Sequence, residues 1–143
     1  MISKINDITE AIFSNFQSLF LFLARLVIAY GFYEPALNKW NNISDTAAWF
    51  GSLGIPFPLL NVYISATVES LGVILLVLGL FTRLISLPLI VTMIVAIVTV
   101  HFSNGFGVAD NGFEIPLYYL LFLGIFASFG AGKISIDNFL KSK

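Results

Sequence analysis

The chain contains no cysteine and only one histidine, His101. Without cysteine it cannot exchange disulfides, hold an iron–sulfur cluster through thiolates or attach haem covalently through a Cys-x-x-Cys-His motif. A single histidine also excludes a bis-histidine haem or a histidine-rich zinc site within one chain, and we expect no metal site. Any redox role must therefore use a diffusible carrier or a partner protein.

Charged residues are also scarce in this chain. They make up 10% of it, whereas apolar residues make up 58% and include 15 phenylalanines among 143 residues. This composition leaves too little polar surface to cover a water-soluble globule of this size. We therefore expect the chain to face the lipid bilayer, and we expect no nucleic-acid partner.

Four long apolar segments dominate the sequence and cover about residues 16–37, 59–81, 84–101 and 114–131. A helix rising about 1.5 Å per residue needs about 20 residues to cross a hydrocarbon core of about 30 Å, and each segment approaches this length. Strands of a membrane barrel would instead alternate apolar and polar residues, which Leu84–Val100 does not do. We predict an all-α fold, a four-helix transmembrane bundle in a single domain over residues 1–143.

Short interfacial helices are predicted at both termini and in the first outer loop. In the lead, residues 1–15, isoleucines recur every three or four residues, a spacing typical of a helix that lies in the membrane surface. The segment Asn38–Pro58 carries Trp40, Trp49 and Phe57, and aromatic residues at headgroup depth anchor such a cap. The tail, residues 132–143, follows the last span.

The positive charges predict the orientation of the bundle. If both termini lie on one side, the opposite side has Lys39 alone. The side of the termini then collects Lys4, Arg83, Lys133, Lys141 and Lys143. Because Lys and Arg accumulate in cytoplasmic loops, we predict a multi-pass protein of the cell (inner) membrane with both termini in the cytoplasm.

Five ionisable residues lie in or beside the apolar segments: Arg25, Glu34, Glu69, His101 and Glu114. In hydrocarbon an ionisable side chain costs roughly 2.5–3.5 kcal/mol on insertion scales, and it is usually retained for a site, a relay or a pathway. Glu34 lies nine residues after Arg25, on the opposite side of a straight helix and next to a proline. A structural or interfacial role is therefore favoured for Glu34.

Two helical stripes are expected to bring other polar residues together. On the second span Glu69 shares a face with Gly72, and on the fourth span Glu114 shares a face with Tyr118 and Gly124. Because small residues let helices approach closely, we predict that both stripes face the bundle interior.

The predicted site is a polar pocket that opens outward, with Arg25 and Glu69 at its floor. His101 and Glu114 flank the outer loop near its mouth. A guanidinium can neutralise a carboxylate through two hydrogen bonds, so Arg25 is expected to pair with Glu69 or Glu114. The same pair could equally serve only to fix the register of the helices.

Several short motifs occur in a specific order. They are Arg25-Leu26 with Gly31, Lys39-Trp40, Gly54-Ile55-Pro56, Glu69 with Gly72, the run from Leu78 to Arg83, His101, Glu114 and the closing segment from Gly130 to Asp137. In this order, from about Arg25 to Leu140, the chain resembles the DoxX family of small four-helix membrane proteins. The family includes the small membrane subunit of an archaeal thiosulfate:quinone oxidoreductase, so the resemblance implies a link to redox chemistry. It makes site candidates of Arg25, Lys39, Glu69, Arg83, His101 and Glu114.

The sequence and the resemblance together predict the membrane subunit of a redox system, which binds a quinone or a similar small apolar molecule with a polar head. The expected quinone-binding residues are Arg25, Lys39 and Tyr118, and the expected catalytic proton carriers are Glu69, His101 and Glu114. The partner would be a soluble or membrane-bound redox enzyme, and further copies of the chain would form a homo-oligomer. Two alternatives stay open: a non-catalytic scaffold that recruits soluble enzymes, and a transporter or small-molecule or lipid-binding protein.

Overall fold

The computed structural model describes residues 2–142 and the side chains of residues 4–142, so Lys143 lies outside the described residues. All regular structure in this range is helical, as predicted. The α-helices are α1 (Ile2–Phe13), α2 (Gln17–Asn41), α3 (Ile43–Ser52), α4 (Pro58–Leu78), α5 (Thr82–Ala96), α6 (Glu114–Phe129) and α7 (Ile136–Lys141). Helices α1, α3 and α7 lie at the chain positions where the short interfacial helices are predicted.

The four predicted spans correspond to α2, α4, α5 and α6. Within the described residues, three helical stretches are long and apolar enough to cross a membrane: Lys4–Asn41, Pro58–Leu78 and Thr82–Asn104. Helix α6 is also apolar but has 16 residues. The observed fold is therefore the predicted all-α membrane bundle. Helix α2 continues past Leu37, the predicted end of the first span, to Asn41, which places Lys39 inside the helix.

Proline, glycine and aspartate define the ends of the central helices. Helix α4 begins at Pro58, whose missing N–H is no loss in a first turn, and it is followed by Gly79, whose φ of 64° forms a left-handed cap. Helix α5 starts in the next turn, where its first N–H groups lack helical partners. The carboxylate of Asp137 accepts hydrogen bonds from the N–H groups of Phe81 at 2.8 Å and Thr82 at 3.0 Å. The C-terminal segment therefore caps α5.

The bundle consists of two closely packed helix pairs. Helix α2 packs mainly on α4, α5 packs mainly on α6, and α4 joins the pairs through α5. The shared core contains Ile28, Ala29, Phe32, Leu76, Ile85, Leu89, Met93, Leu123 and Phe126. Gly72 permits the contact between α4 and α5, since a Cβ there would lie 2.8 Å from Leu89 Cδ1. The predicted inward face of the second span, with Glu69 and Gly72, is buried as expected.

Consecutive spans run in opposite directions and give the bundle two distinct ends. At the loop end, α2 finishes, α4 and α6 begin, and α3 packs on α4. At the terminal end, α2 begins, α4 turns into α5, and α6 leads into α7. The candidate site lies at the loop end.

Candidate functional site

A cavity of about 520 Å³ lies at the loop end, between the α2–α4 pair and the α5–α6 pair and next to α3. Most of its lining is apolar, and the polar or aromatic-polar side chains in it are Lys39, Trp49, Asn61, Ser65, Glu69, Thr92, Thr99, His101 and Tyr119. Small-molecule sites are typically cavities of about 300–1,000 Å³ with a mainly apolar lining and a few placed polar groups. The cavity is therefore the candidate functional site.

An ion pair between Lys39 and Glu69 is the strongest polar feature of the cavity wall. Lys39 Nζ donates to Glu69 Oε2 at 2.8 Å and to Oε1 at 3.0 Å. The two side chains are only 16% and 3% exposed, so the pair is largely withdrawn from solvent. An ammonium has three N–H donors, and both side-chain hydrogen bonds of Lys39 within the described residues go to Glu69. A further N–H therefore remains for a ligand in the cavity.

Trp40 holds the end of α2 against α4 beside this ion pair. Its indole Nε1 donates to Ser70 Oγ at 3.0 Å, and its ring meets the Tyr63 ring edge-on with the centroids 6.1 Å apart. Both partners lie on α4, in the turns next to Glu69. These contacts fix the position of the last turn of α2 and with it the stem of Lys39.

His101 lines the cavity from the end of α5, where the helix widens into a π-turn over Ile97–His101. Its Nδ1 lies 2.8 Å from the carbonyl oxygen of Asn111. Because a carbonyl can only accept a hydrogen bond, Nδ1 carries the hydrogen, and Nε2 of the neutral ring is left as an acceptor. The loop after α5 therefore orients the imidazole and leaves one nitrogen available for proton transfer.

Tyr119 lines the cavity from α6, although the sequence-based site included Tyr118 instead. Its ring packs edge-on against Phe32, with the centroids 5.6 Å apart. A Cβ at Gly31 would overlap the Tyr119 hydroxyl, so the glycine makes room for the phenol between α2 and α6. The spacing of the buried residues of α6 could have identified Tyr119, since it continues the face of Pro116, Leu123 and Phe126.

The prediction that the other stripe of α6 faces inward was wrong. Tyr118 and Leu121 are 42% and 54% exposed, and a Cβ at Gly124 would meet no atom within 4 Å. The prediction took a small residue as the mark of a close helix contact. On α6 Leu123 and Phe126 are buried instead, and the small residue Gly124 faces open space.

Glu114 and Tyr118 do not line the cavity but join the outer loop to the start of α6. Glu114 Oε2 accepts a hydrogen bond from the N–H of Val108 at 3.0 Å, and Oε1 accepts one from the Tyr118 hydroxyl at 3.0 Å. A carboxylate in the first turn also interacts favourably with the positive end of the helix. These contacts organise the loop that orients His101.

Arg25 lies at the terminal end, and the expected ion pair with Glu69 or Glu114 is wrong. The side chain is fully buried; Nη1 donates to the carbonyl oxygen of Leu76 at 2.6 Å and Nη2 to that of Ile134 at 2.5 Å. Lys39 follows Arg25 by 14 residues on α2, a rise of about 21 Å, and it takes the place beside Glu69. Arg25 therefore joins α2 to α4 and to the C-terminal segment.

The cavity reaches the outer surface of the bundle between α4 and α5. Among the apolar residues that line the cavity and are also exposed are Ile64 on α4, at 51%, and Val91 and Val95 on α5, at 58% and 43%. In a membrane bundle, an apolar surface between two spans faces lipid. This apolar surface is therefore the side from which a molecule dissolved in the bilayer would approach the cavity.

The lining suits an organic ligand that has a polar head. Lys39 supplies a charged donor, Glu69 an acceptor, and His101 a group that can accept or release a proton. In the part of the chain that the structure describes, no group of three or more His, Cys, Asp or Glu side chains is placed to hold a metal ion.

The apolar spans and the buried ion pair beside a cavity define a small integral membrane protein with a candidate ligand site. The chain belongs to the DoxX family, whose sequence model matches residues 20–102. This range contains three of the predicted site residues that line the cavity, Lys39, Glu69 and His101.

Similar proteins occur in several bacteria. An uncharacterized protein of Haemophilus influenzae is 33% identical over 129 residues, which cover 85% of this chain and 83% of the relative. The putative oxidoreductase CatD of Bacillus subtilis is 30% identical, over 82% of this chain and 84% of its own. The inner membrane protein YphA of Escherichia coli is 28% identical, over 88% of this chain and 94% of its own. No solved structure matches the chain.

Proposed function

We propose that the cavity binds a quinone or a similar small apolar molecule with a polar head, and that the chain is the membrane subunit of an oxidoreductase system. The observation that supports this most is the Lys39–Glu69 ion pair, which is nearly buried at the wall of a mainly apolar cavity. Burying two charges is expensive, and intramembrane ionisable residues usually mark a site or a proton relay. The printed name of the Bacillus subtilis relative, a putative oxidoreductase, agrees with this class.

The polar groups of the cavity could supply the hydrogen bonds and the protons that a quinone head requires. Lys39 would donate a hydrogen bond from its remaining N–H to a carbonyl oxygen of the ring. Glu69, a carboxylate, and His101, a neutral imidazole, would each take up a proton from water and pass it to a ring oxygen. Two protons would then accompany the two electrons, which come from a partner redox enzyme. Arg25, Glu114 and Tyr118 lie outside this cavity and support its walls and loops.

A second candidate is a lipid or small-molecule binding protein without redox chemistry. The opening between α4 and α5 supports it, because apolar side chains at that opening connect the cavity with the bilayer. Both candidates place the ligand in the same cavity. They differ in whether the bound molecule is reduced.

Quinone binding can be tested through the fluorescence of Trp49, which lines the cavity. Of the two tryptophans, Trp49 lines the cavity and Trp40 does not, so both are kept and a ligand in the cavity should quench Trp49. Titration of the protein in detergent with a short-chain ubiquinone analogue should give saturable quenching. Lys39→Met should weaken binding by about tenfold to a hundredfold, because a hydrogen bond from a charged group contributes about 1.5–3 kcal/mol.

Glu34→Gln is the matched control, because Glu34 is exposed on the same helix and does not line the cavity. It should leave the affinity unchanged. The rate of quinone reduction in membranes that contain Glu69→Gln or His101→Gln separates the redox subunit from the binding protein. A slower rate than in the wild type supports the redox role. An unchanged rate with altered ligand retention supports binding alone. Quenching that rises linearly without saturation would reject the cavity as a quinone site.

A further inference from the structure

A second groove, of about 470 Å³, lies at the terminal end of the bundle, away from the cavity. Three basic side chains line it from three separate elements: Arg83 in the first turn of α5, Lys133 in the segment after α6, and Lys141 at the end of α7. Residues 8 to 58 positions apart in sequence thus place like charges around one concave surface. Like charges repel one another, so such an arrangement favours an anion between them.

The charge of this groove is not neutralised by its own acidic residue. Among the described residues that line it, Asp137 is the acidic side chain. Both of its oxygens already accept hydrogen bonds from the first N–H groups of α5, those of Phe81 and Thr82. Three positive charges and one negative charge leave a net charge of +2 on the lining side chains.

The basic side chains retain donors for a ligand. Arg83 donates from Nη1 to the carbonyl oxygen of Ala127 at 3.2 Å, which uses one of the five N–H groups of a guanidinium. The segment that carries Lys133 is held on α2, because the Lys133 backbone N–H donates to Ser18 Oγ at 3.2 Å. The Lys133 and Lys141 side chains are exposed. The groove is therefore positioned by the backbone, and its charges point to its open side.

The rim of the groove is apolar and faces the lipid. Phe81, Leu84 and Phe129 line the groove and are 58%, 65% and 63% exposed. Leu84 lies in the first turn of the span α5, and Phe129 is the last residue of the span α6. A ligand for this groove must therefore combine an anionic head with apolar chains.

We propose that the groove binds the phosphate group of an anionic membrane lipid. The phosphate lies among Arg83, Lys133 and Lys141, and the acyl chains lie along the apolar rim. Basic grooves between spans recognise lipid headgroups by charge, and Arg can bind a phosphate through two hydrogen bonds. The apolar rim distinguishes a lipid from a free phosphate ion.

The test measures lipid affinity of the purified protein by native mass spectrometry in a neutral detergent. Phosphatidylglycerol is the probe, phosphatidylcholine is the neutral control lipid, and glycerol 3-phosphate supplies the phosphate without acyl chains. We expect binding of phosphatidylglycerol in preference to the other two. Lys133→Gln and Lys141→Gln should each weaken it by about fivefold, since a basic residue near an anionic lipid contributes about 1 kcal/mol.

Lys4→Gln is the control, because it removes one exposed positive charge from α1, outside the groove. The affinity of this variant for phosphatidylglycerol should equal that of the wild type. The lysine side chains of the groove make no side-chain hydrogen bond within the described residues, so both groove variants should fold, and thermal unfolding verifies this. Equal losses in Lys4→Gln and in the groove variants, or equal binding of glycerol 3-phosphate and phosphatidylglycerol, would overturn the proposal.

Discussion

The ion pair between Lys39 and Glu69 should make the effects of substitutions at these two positions on the free energy of unfolding depend on each other. With 2.8 Å between Nζ and Oε2, the attraction of two unit charges is about 6 kcal/mol at an effective dielectric constant of about 20. The cost of removing both charges from water offsets much of this attraction. Glu69→Gln leaves the ammonium without its counter-charge, and we expect it to lower the free energy of unfolding by about 3–5 kcal/mol.

The double variant Lys39→Met/Glu69→Gln removes both charges and should recover part of this loss. We expect a coupling free energy of at least about 1 kcal/mol between the two positions. Titration with sodium dodecyl sulfate in mixed micelles, followed by circular dichroism, measures the free energy of unfolding of each variant. Glu34→Gln in place of Glu69→Gln should couple to Lys39→Met by less than about 0.5 kcal/mol. If the losses at Lys39 and Glu69 simply add, the ion pair does not stabilise the bundle and our reasoning fails.

Two further predictions concern the terminal end and the orientation. Arg25→Met leaves the carbonyl groups of Leu76 and Ile134 without their donor. The C-terminal segment should then be held less firmly, and trypsin should cleave after Lys133 faster than in the wild type. An unchanged cleavage rate would show that Arg25 does not hold this segment. Because the positive charges predict cytoplasmic termini, single cysteines at Asn42 and Ser142 should react with impermeant maleimide from opposite sides of the membrane. Labelling of both cysteines from one side would contradict that topology.

The fold could be predicted from the sequence because apolar length and helix-end residues are local signals. Helix α4 lies within three residues of the predicted span 59–81, and the face that carries Glu69 is buried as expected. Pro35 lies inside α2, as the predicted span 16–37 requires, since a proline inside a membrane helix can be accommodated by its neighbours. The continuation of α2 by one turn brought Lys39 into the bundle.

The partners of the charged residues were harder to predict. Periodicity shows which face of a helix is buried, but it does not show how far one helix is shifted along another. This shift places Glu69 beside Lys39 and leaves Arg25 next to the Leu76 carbonyl. Tyr119 was missed for a different reason: the stripe with Gly124 was taken as the inward face of α6 in place of the face of Pro116, Leu123 and Phe126. The room that Gly31 of α2 leaves for the Tyr119 ring becomes visible only when the helices are packed.

The short length of α6 has a consequence for the membrane around the protein. Its 16 residues rise about 24 Å, which is about 6 Å less than a typical hydrocarbon core. Helices do not stretch, so we expect the bilayer to become thinner along this side of the bundle, at a cost of a fraction of a kcal/mol per ångström of mismatch. Lipids with shorter acyl chains should then collect beside α6 in a mixed bilayer.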